Sequence, residues 1–411
     1  MTTKSPQPPN QLPRFLRVAF QAIVRSPFYL RRILRKSALK KAYLQGQADF
    51  TRDHFVEEPD KAIVETGDKL REQLLHDTRQ KYAESHYRVL LLNPGTVTGD
   101  IWFGGLTSCL SHAGIECYLL PTQTTPSSLN ERLEEFRPNV FIAVDTTSVL
   151  RSMDLRFLQE FKRKHGCLRL FIPEVRVGSS RMRSLDLNWR RSLWDSGLMA
   201  DAQFSIFEPE FTERFRVDKF NSEVECITVA QACNPFTERP LPEPKVYDYF
   251  MATSMTDERL DVTYRYLRSI LKHYHGLWAG PRWGFGLDQV PIDAMATRYS
   301  QARIALSPIV RFVSRYSAEL THRVFAAAGC GAFQLTMPTA ITRRYFEPDE
   351  LVQADSPAQF ERLFDHFIKR PDERSDVAMR ALQRVYRSHT CFHRIDKLVA
   401  HLDYWRSRGL F

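Results

Sequence analysis

Two carboxylates stand where a parallel sheet would present them. Asp145 closes the apolar run at 139–144, and Glu174 follows Leu168–Ile172 after a single proline. In open α/β sheets ligands gather beyond the carboxyl ends of the strands. Either residue is therefore placed to act as a general base for an acceptor hydroxyl, or simply to cap a neighbouring helix. A third strand-end feature is the segment 93–105, which follows the apolar run at 88–93. Its Gly95, Asp100 and Gly104 make it either a loop whose amides approach an anion ahead of a helix or an ordinary connection. It lacks the G-x-G-x-x-G spacing of a nicotinamide or flavin site. The glycine-rich run Gly280-Pro281-Arg282-Trp283-Gly284-Phe285-Gly286 offers Trp283 either to a nucleobase face or to a core. His322 and His393 read as packed or surface histidines. The seven cysteines are scattered with no C-x-x-C pair, which fits reduced thiols and neither a disulfide framework nor a zinc site.

Such residues need elements to hold them. Short apolar runs at 88–93, 115–120, 139–144 and 168–172 alternate with helical patterns at 104–113, 129–136 and 150–164. Further runs at 202–207 and 226–230 close this first series. Alternation of that kind predicts a parallel sheet covered by helices. Arg239-Pro240-Leu241-Pro242-Glu243-Pro244 then makes a stiff connector. A second series follows: strands at 247–252, 276–279, 299–306 (with a short helix) and 332–336, and helices at 257–273, 317–328, 357–368 and 372–389. The predicted organisation is a basic arm 1–48, a helical connector 49–85, a Rossmann-like domain 86–237, a proline-rich linker 238–246, a second Rossmann-like domain 247–391 and a tail helix 392–411. The cleft between the two domains is the expected ligand site.

The formal charge of +10 has an uneven origin. Residues 1–48 hold ten Lys or Arg and no Asp or Glu; the other 363 residues carry 48 basic and 48 acidic side chains. A protein whose body is neutral is not expected to bind nucleic acid through bulk charge. In the arm, Arg14, Arg17, Gln21 and Arg25 form a polar stripe on one predicted helix, and a second basic helix runs from Phe28 to about Leu44. Its apolar side suits either the headgroup layer of an anionic membrane or the protein's own body. No apolar run approaches the roughly 18 residues that span a bilayer, and the first apolar stretch is interrupted by Arg17 and Arg25, unlike a secretory signal. The expected place is the cytoplasm, with peripheral contact at the inner face of the membrane through residues 14–44.

One segment carries more than pattern. Arg323-Val324-Phe325-Ala326-Ala327-Ala328-Gly329-Cys330-Gly331-Ala332-Phe333-Gln334-Leu335-Thr336 resembles the C-terminal half of CgeB/YkvP-like glycosyltransferases, which read roughly R-x-F-E-x-x-A-C-G-x-F-x-L-T here. Tyr345-Phe346-Glu347-Pro348-Asp349-Glu350, Arg370-Pro371-Asp372-Glu373-Arg374 and His389-Thr390-Cys391-Phe392-His393-Arg394 continue the likeness, and Tyr249-Phe250-Met251-Ala252-Thr253-Ser254 with Arg259 opens it. The resemblance covers about residues 245–396. It implies an α/β fold of the GT-B kind, two facing Rossmann-like domains with parallel sheets, and transfer of a sugar from a nucleoside-diphosphate sugar to a glycan, lipid or protein acceptor in cell-envelope glycan assembly. The alternative is a catalytically silent nucleotide-sugar-binding protein serving as an assembly partner. Arg323, Arg259 and Ser254 are then the expected donor-binding residues, joined by Arg311, Arg315, Trp283 and Gly331. No cofactor beyond the donor and no metal is implied, and no D-x-D motif stands in a suitable place. Where the related pattern has Glu, expected to hold the ribose, this chain has Ala326. Glu319 is the substitute candidate, or else the i, i+4 ion-pair partner of Arg323 on one helix.

Overall fold

The computed structural model describes residues 27–48, 56–121, 124–175, 184–217, 224–307 and 319–411. The helix expected at 14–25 and the candidates Arg311 and Arg315 lie outside the described residues. Among those described, strands β1 (Arg88–Leu92), β2 (Glu116–Leu120), β3 (Val140–Val144), β4 (Leu168–Ile172), β5 (Ala202–Ser205) and β6 (Cys226–Thr228) form a sheet in the order β2-β1-β3-β4-β5-β6. A second sheet has the order β11-β10-β9-β7-β8, from β7 (Tyr247–Ala252), β8 (Gly276–Ala279), β9 (Ala302–Ser307), β10 (Gln334–Thr336) and β11 (Val352–Gln353). Neighbouring strands in both sheets pair in parallel.

The strands read as unbroken apolar runs because both faces are covered. Val89, Leu91, Val140 and Ile142 look one way and Leu90, Leu92, Phe141 and Ala143 the other, into separate clusters. The helices are α1 (Pro27–Ala48), α2 (Lys61–Thr78), α3 (Val97–His112), α4 (Pro126–Phe136), α5 (Thr147–Arg151), α6 (Leu155–His165), α7 (Ser184–Asp195) and α8 (Pro209–Phe215), followed by α9 (Asp257–Tyr266), α10 (Arg268–His273), α11 (Met295–Ser300), α12 (His322–Gly329), α13 (Thr342–Tyr345), α14 (Pro357–Ile368), α15 (Pro371–Ser388) and α16 (Cys391–Ser407).

Several boundaries differ from the sequence reading, each for a local reason. The helix expected at 104–113 begins at Val97, because Thr96 caps it by accepting the Gly99 amide at 3.0 Å. The helix expected at 150–164 is two helices: the first ends at Arg151 with Ser152 as its cap, and Asp154 caps the second by accepting the Phe157 amide. The helix expected at 317–328 starts only at His322, so Glu319 precedes it.

Both ends of the described chain cross between domains. Leu39, Ala42 and Tyr43 of α1 are buried in the second domain's core, where α1 packs against α9 and α10. α16 leaves the second domain and buries Phe392, Ile395, Leu398, Val399, Leu402 and Trp405 in the first domain's core against α3. The stretch 392–411 is thus a structural part of the first domain rather than an appended tail. Its Thr390–His393 capping box fixes where the helix begins. No described helix is long and apolar enough to cross a membrane.

Candidate functional site

The carboxyl edges of the two sheets meet at a small polar cluster. From the second domain, β7 ends in Ala252-Thr253-Ser254, a turn capped into α9 by Thr256, whose hydroxyl accepts the Arg259 amide at 3.2 Å. The Arg259 guanidinium folds back onto this turn and donates to the Ser254 carbonyl (3.1 Å) and hydroxyl (2.6 Å). Arg323, in the first turn of α12, donates to the Ala252 carbonyl at 3.2 Å. Glu319 accepts from the Gln231 side chain at 2.7 Å, and Gln231 lies just past β6 in the first domain. Arg394 of α16 steadies that segment by donating to the carbonyls of Ala230 (3.0 Å) and Gln231 (3.1 Å).

The electrostatics are unbalanced toward positive charge. Burial drives the Arg323 pKa down to about 10, and the neighbouring Arg259 cation pushes the same way. Burial also lowers Arg259. Both guanidinium groups hydrogen-bond to neutral oxygens, and among the described residues neither has a carboxylate within ion-pair distance. Glu319 is the nearby carboxyl group. Burial raises its pKa to about 7, against the pull of the Gln231 hydrogen bond and the two arginines. Two half-buried cations beside a carboxyl group that readily takes a proton form a site suited to an anion.

Around this cluster the domains are tied. His322 hydrogen-bonds Glu238 at 2.5 Å. Burial opposes charging of the imidazole, yet Glu238 leaves its pKa above the ordinary value. Glu208, beyond β5, holds Arg344 in an ion pair and accepts from the Tyr345 hydroxyl at 2.8 Å. The sequence reading missed Gln231 and Glu208. The carboxyl-end rule that selected Asp145 applies equally to both, since each follows a strand.

Other expected site residues are placed elsewhere. Trp283 is fully buried, donates to the Thr253 carbonyl at 2.7 Å and meets Trp278 edge-on, so no face is open to a base. Gly331 sits past the C-terminal end of α12, where a Cβ would come within 2.3 Å of Ile63 Cγ2; it serves helix packing, not the donor cleft. Glu319 makes no ion pair with Arg323, because it is not on the helix that carries Arg323. Asp145 is completely buried, ion-paired to Arg190 at 3.2 Å, and accepts the Glu174 amide and the Gln203 side chain. Such an enclosed carboxylate anchors the ends of β3 and β4 and offers nothing to an acceptor. Glu174 accepts from the Thr147 amide at the start of α5, a capping contact, and lies 3.5 Å from Arg190.

In the segment after β1, Gly95 turns with φ 75° and donates to Asn93, whose side-chain amide in turn donates to Asp100 at 2.7 Å. Gly104 lies inside α3 and its amide belongs to the helix, which removes it from an anion loop. Ala326 is buried in an apolar cluster with Phe250, Leu277, Ala279, Tyr299 and Ala305, where an alanine packs without cost. A cavity of 660 Å³ lies apart from this cluster, lined only by first-domain residues such as Arg151, Met153, Trp189 and Leu193. Among the described residues no group of three or more His, Cys, Asp or Glu is close enough to hold a metal.

Comparison with known proteins adds to this geometry. Residues 263–400 match a family described as glycosyl transferase-like. No curated protein matches the chain. Among solved structures, T4 phage BGT in complex with its UDP-glucose substrate superposes with a TM-score of 0.51 at 12% identity, over 78% of this chain and 98% of that one. Sucrose-phosphate synthase from Thermosynechococcus elongatus gives 0.54 at 12% identity, over 79% and 99%. The chain therefore has the α/β GT-B fold; Arg323 lies within the residues matched to the glycosyl transferase-like family and Arg259 four residues before them.

Proposed function

We propose that this chain transfers a sugar from a nucleoside-diphosphate sugar to a glycan, lipid or protein acceptor, and that Arg259 and Arg323 receive the diphosphate. The carrying observation is the pair of half-buried guanidinium groups, without a carboxylate partner among the described residues, at the carboxyl edge of the second sheet. Negative charge grows on the diphosphate as the glycosidic bond breaks, and preorganised cations in a water-poor site stabilise it. The scheme takes its positive charge from side chains and needs no metal. Ser254, held by Arg259, offers a hydroxyl at the same turn. Glu319 spans the cleft toward Gln231 and stands where a sugar or ribose hydroxyl would need an acceptor. The likeness of residues 323–336 to CgeB/YkvP-like sequences and the basic arm favour cell-envelope glycans as the acceptor class.

Thermal shift against UDP-, GDP-, TDP- and CMP-sugars, followed by donor hydrolysis, tests the reading. One donor is expected to stabilise the chain and to be turned over, with chelator present as without. Binding without turnover under any acceptor would point to the silent assembly partner. No response to any donor, with Arg323→Ala indistinguishable from the parent, would refute both.

A further inference from the structure

The outer face of α1 has no role in the cleft, and its composition is specific. The helix divides its residues by spacing. Arg32, Arg35, Lys36, Leu39, Ala42 and Tyr43 turn to the second domain: Arg32 pairs with Asp257 at 3.1 Å, Arg35 with Asp261, Lys36 donates to the Arg282 carbonyl at 2.6 Å, and the other three enter the core. The opposite side follows the same i, i+3, i+4 rhythm. There Leu30, Ile33, Leu34 and Leu44 are 45–60% exposed, and Arg31, Lys40 and Lys41 are exposed among them. No acidic residue occurs in α1.

We infer that this face is a docking surface for an anionic lipid bilayer, with α1 lying in the headgroup plane. Half-exposed aliphatic side chains spaced along a helix among cations, with no anion on the helix, match a surface that combines an apolar interior with negative headgroups. A protein partner would require acidic and apolar groups at matching spacing; a bilayer supplies both as a continuum. On the inner face Arg32 and Arg35 are paired with Asp257 and Asp261, so these ion pairs fix the helix while the outer cations face outward. Since α1 packs on α9, whose first turn carries Arg259, a docked α1 would also hold the cleft near the lipid surface. The inference does not depend on the donor reading.

The test is flotation of the full chain with phosphatidylcholine vesicles, and with vesicles in which a third of the lipid is phosphatidylglycerol. The parent is expected to float with the anionic vesicles and to be released by salt. Reversing Arg31, Lys40 and Lys41 to Glu should lower partitioning about a hundredfold or more, at roughly 1 kcal/mol per basic residue near such a surface. The triple change Leu30→Gln, Leu34→Gln, Leu44→Gln should lower it comparably, with the thermal melt of both variants unchanged. Equal flotation of parent and variants, or no flotation of the parent at low salt, would overturn the inference. So would a marked gain on removing residues 1–26, which would mean that the chain covers this face itself. A dimer in light scattering that the leucine changes convert to monomer would assign the face to a second copy instead.

Discussion

At the scale of residues, the proposed donor site sets two cations side by side. Arg259 and Arg323 repel each other in a half-buried cluster, so a diphosphate bound there would gain what the unliganded chain lacks. Arg323→Met is expected to leave the ligand-free chain at least as stable while weakening donor binding roughly 10- to 100-fold, the loss of one charge-assisted contact. Calorimetry of donor binding beside a thermal melt reads both. Glu319 gives a pH signature. Its carboxyl group, near 4.5 when free, titrates at about 7 here, so between those values the folded chain holds a proton that the unfolded chain releases. Stability should fall as pH rises across that window, and Glu319→Gln should flatten the slope in urea titrations at several pH values. Donor affinity should also weaken as pH rises through about 7, because ionised Glu319 competes for the two arginines; the glutamine variant should lose this dependence.

At the scale of elements, the loop after β8 and the end of α12 are supports rather than contacts. Trp283→Ala should cost about 3–5 kcal/mol of stability, as for other buried tryptophans, with donor affinity falling only as far as the fold does. Gly331→Ala should cost at least about 1 kcal/mol, since φ is +65° and the added methyl meets Ile63. Chemical denaturation measures both. These two residues show the limit of sequence reading. Their types drew attention, but whether a tryptophan faces a cleft or a core depends on what packs over it, and Trp278 and Phe285 were invisible as its neighbours until the chain was folded. The strands were legible, with β4, β7 and β8 at their expected bounds, because doubly covered parallel strands leave unbroken apolar runs. Arg259 and Arg323 were singled out through a motif, and the structure brings both to the end of β7. The strand-end rule could have named Gln231 as a candidate, but not its contact with Glu319, which joins residues 88 positions apart and which no local pattern encodes. Asp145 failed as a base for a related reason, since its partner Arg190 comes from a helix outside the strand pattern that selected it.

At the scale of the whole molecule, the two domains are not separable pieces. α16 gives the first domain six buried apolar side chains, each worth about 1.5–3 kcal/mol when fully buried. A chain cut after residue 390 should lose the cooperative melt of its first domain, and residues 86–237 alone should be soluble only with exposed apolar surface; dye binding and circular dichroism check this. Glu208, Arg344 and Tyr345 add a polar tie across the domains. These links set the spacing of the cleft, and Glu208→Gln should change donor affinity without touching the arginines.

The crossed helices also set an order of events at the ribosome. α1 emerges early, but its seat on α9 and α10 lies about 210 residues further on, an interval on the order of ten to forty seconds at roughly 5–20 residues per second. Throughout that time Leu39, Ala42 and Tyr43 have no core to enter, and a basic, apolar helix waits in the open for any surface that will take it. The first domain fares similarly: its strands are made before those of the second, yet α16, which closes its core, follows every strand of the second domain in the chain. The domain whose strands come first is thus completed only after the other's are made.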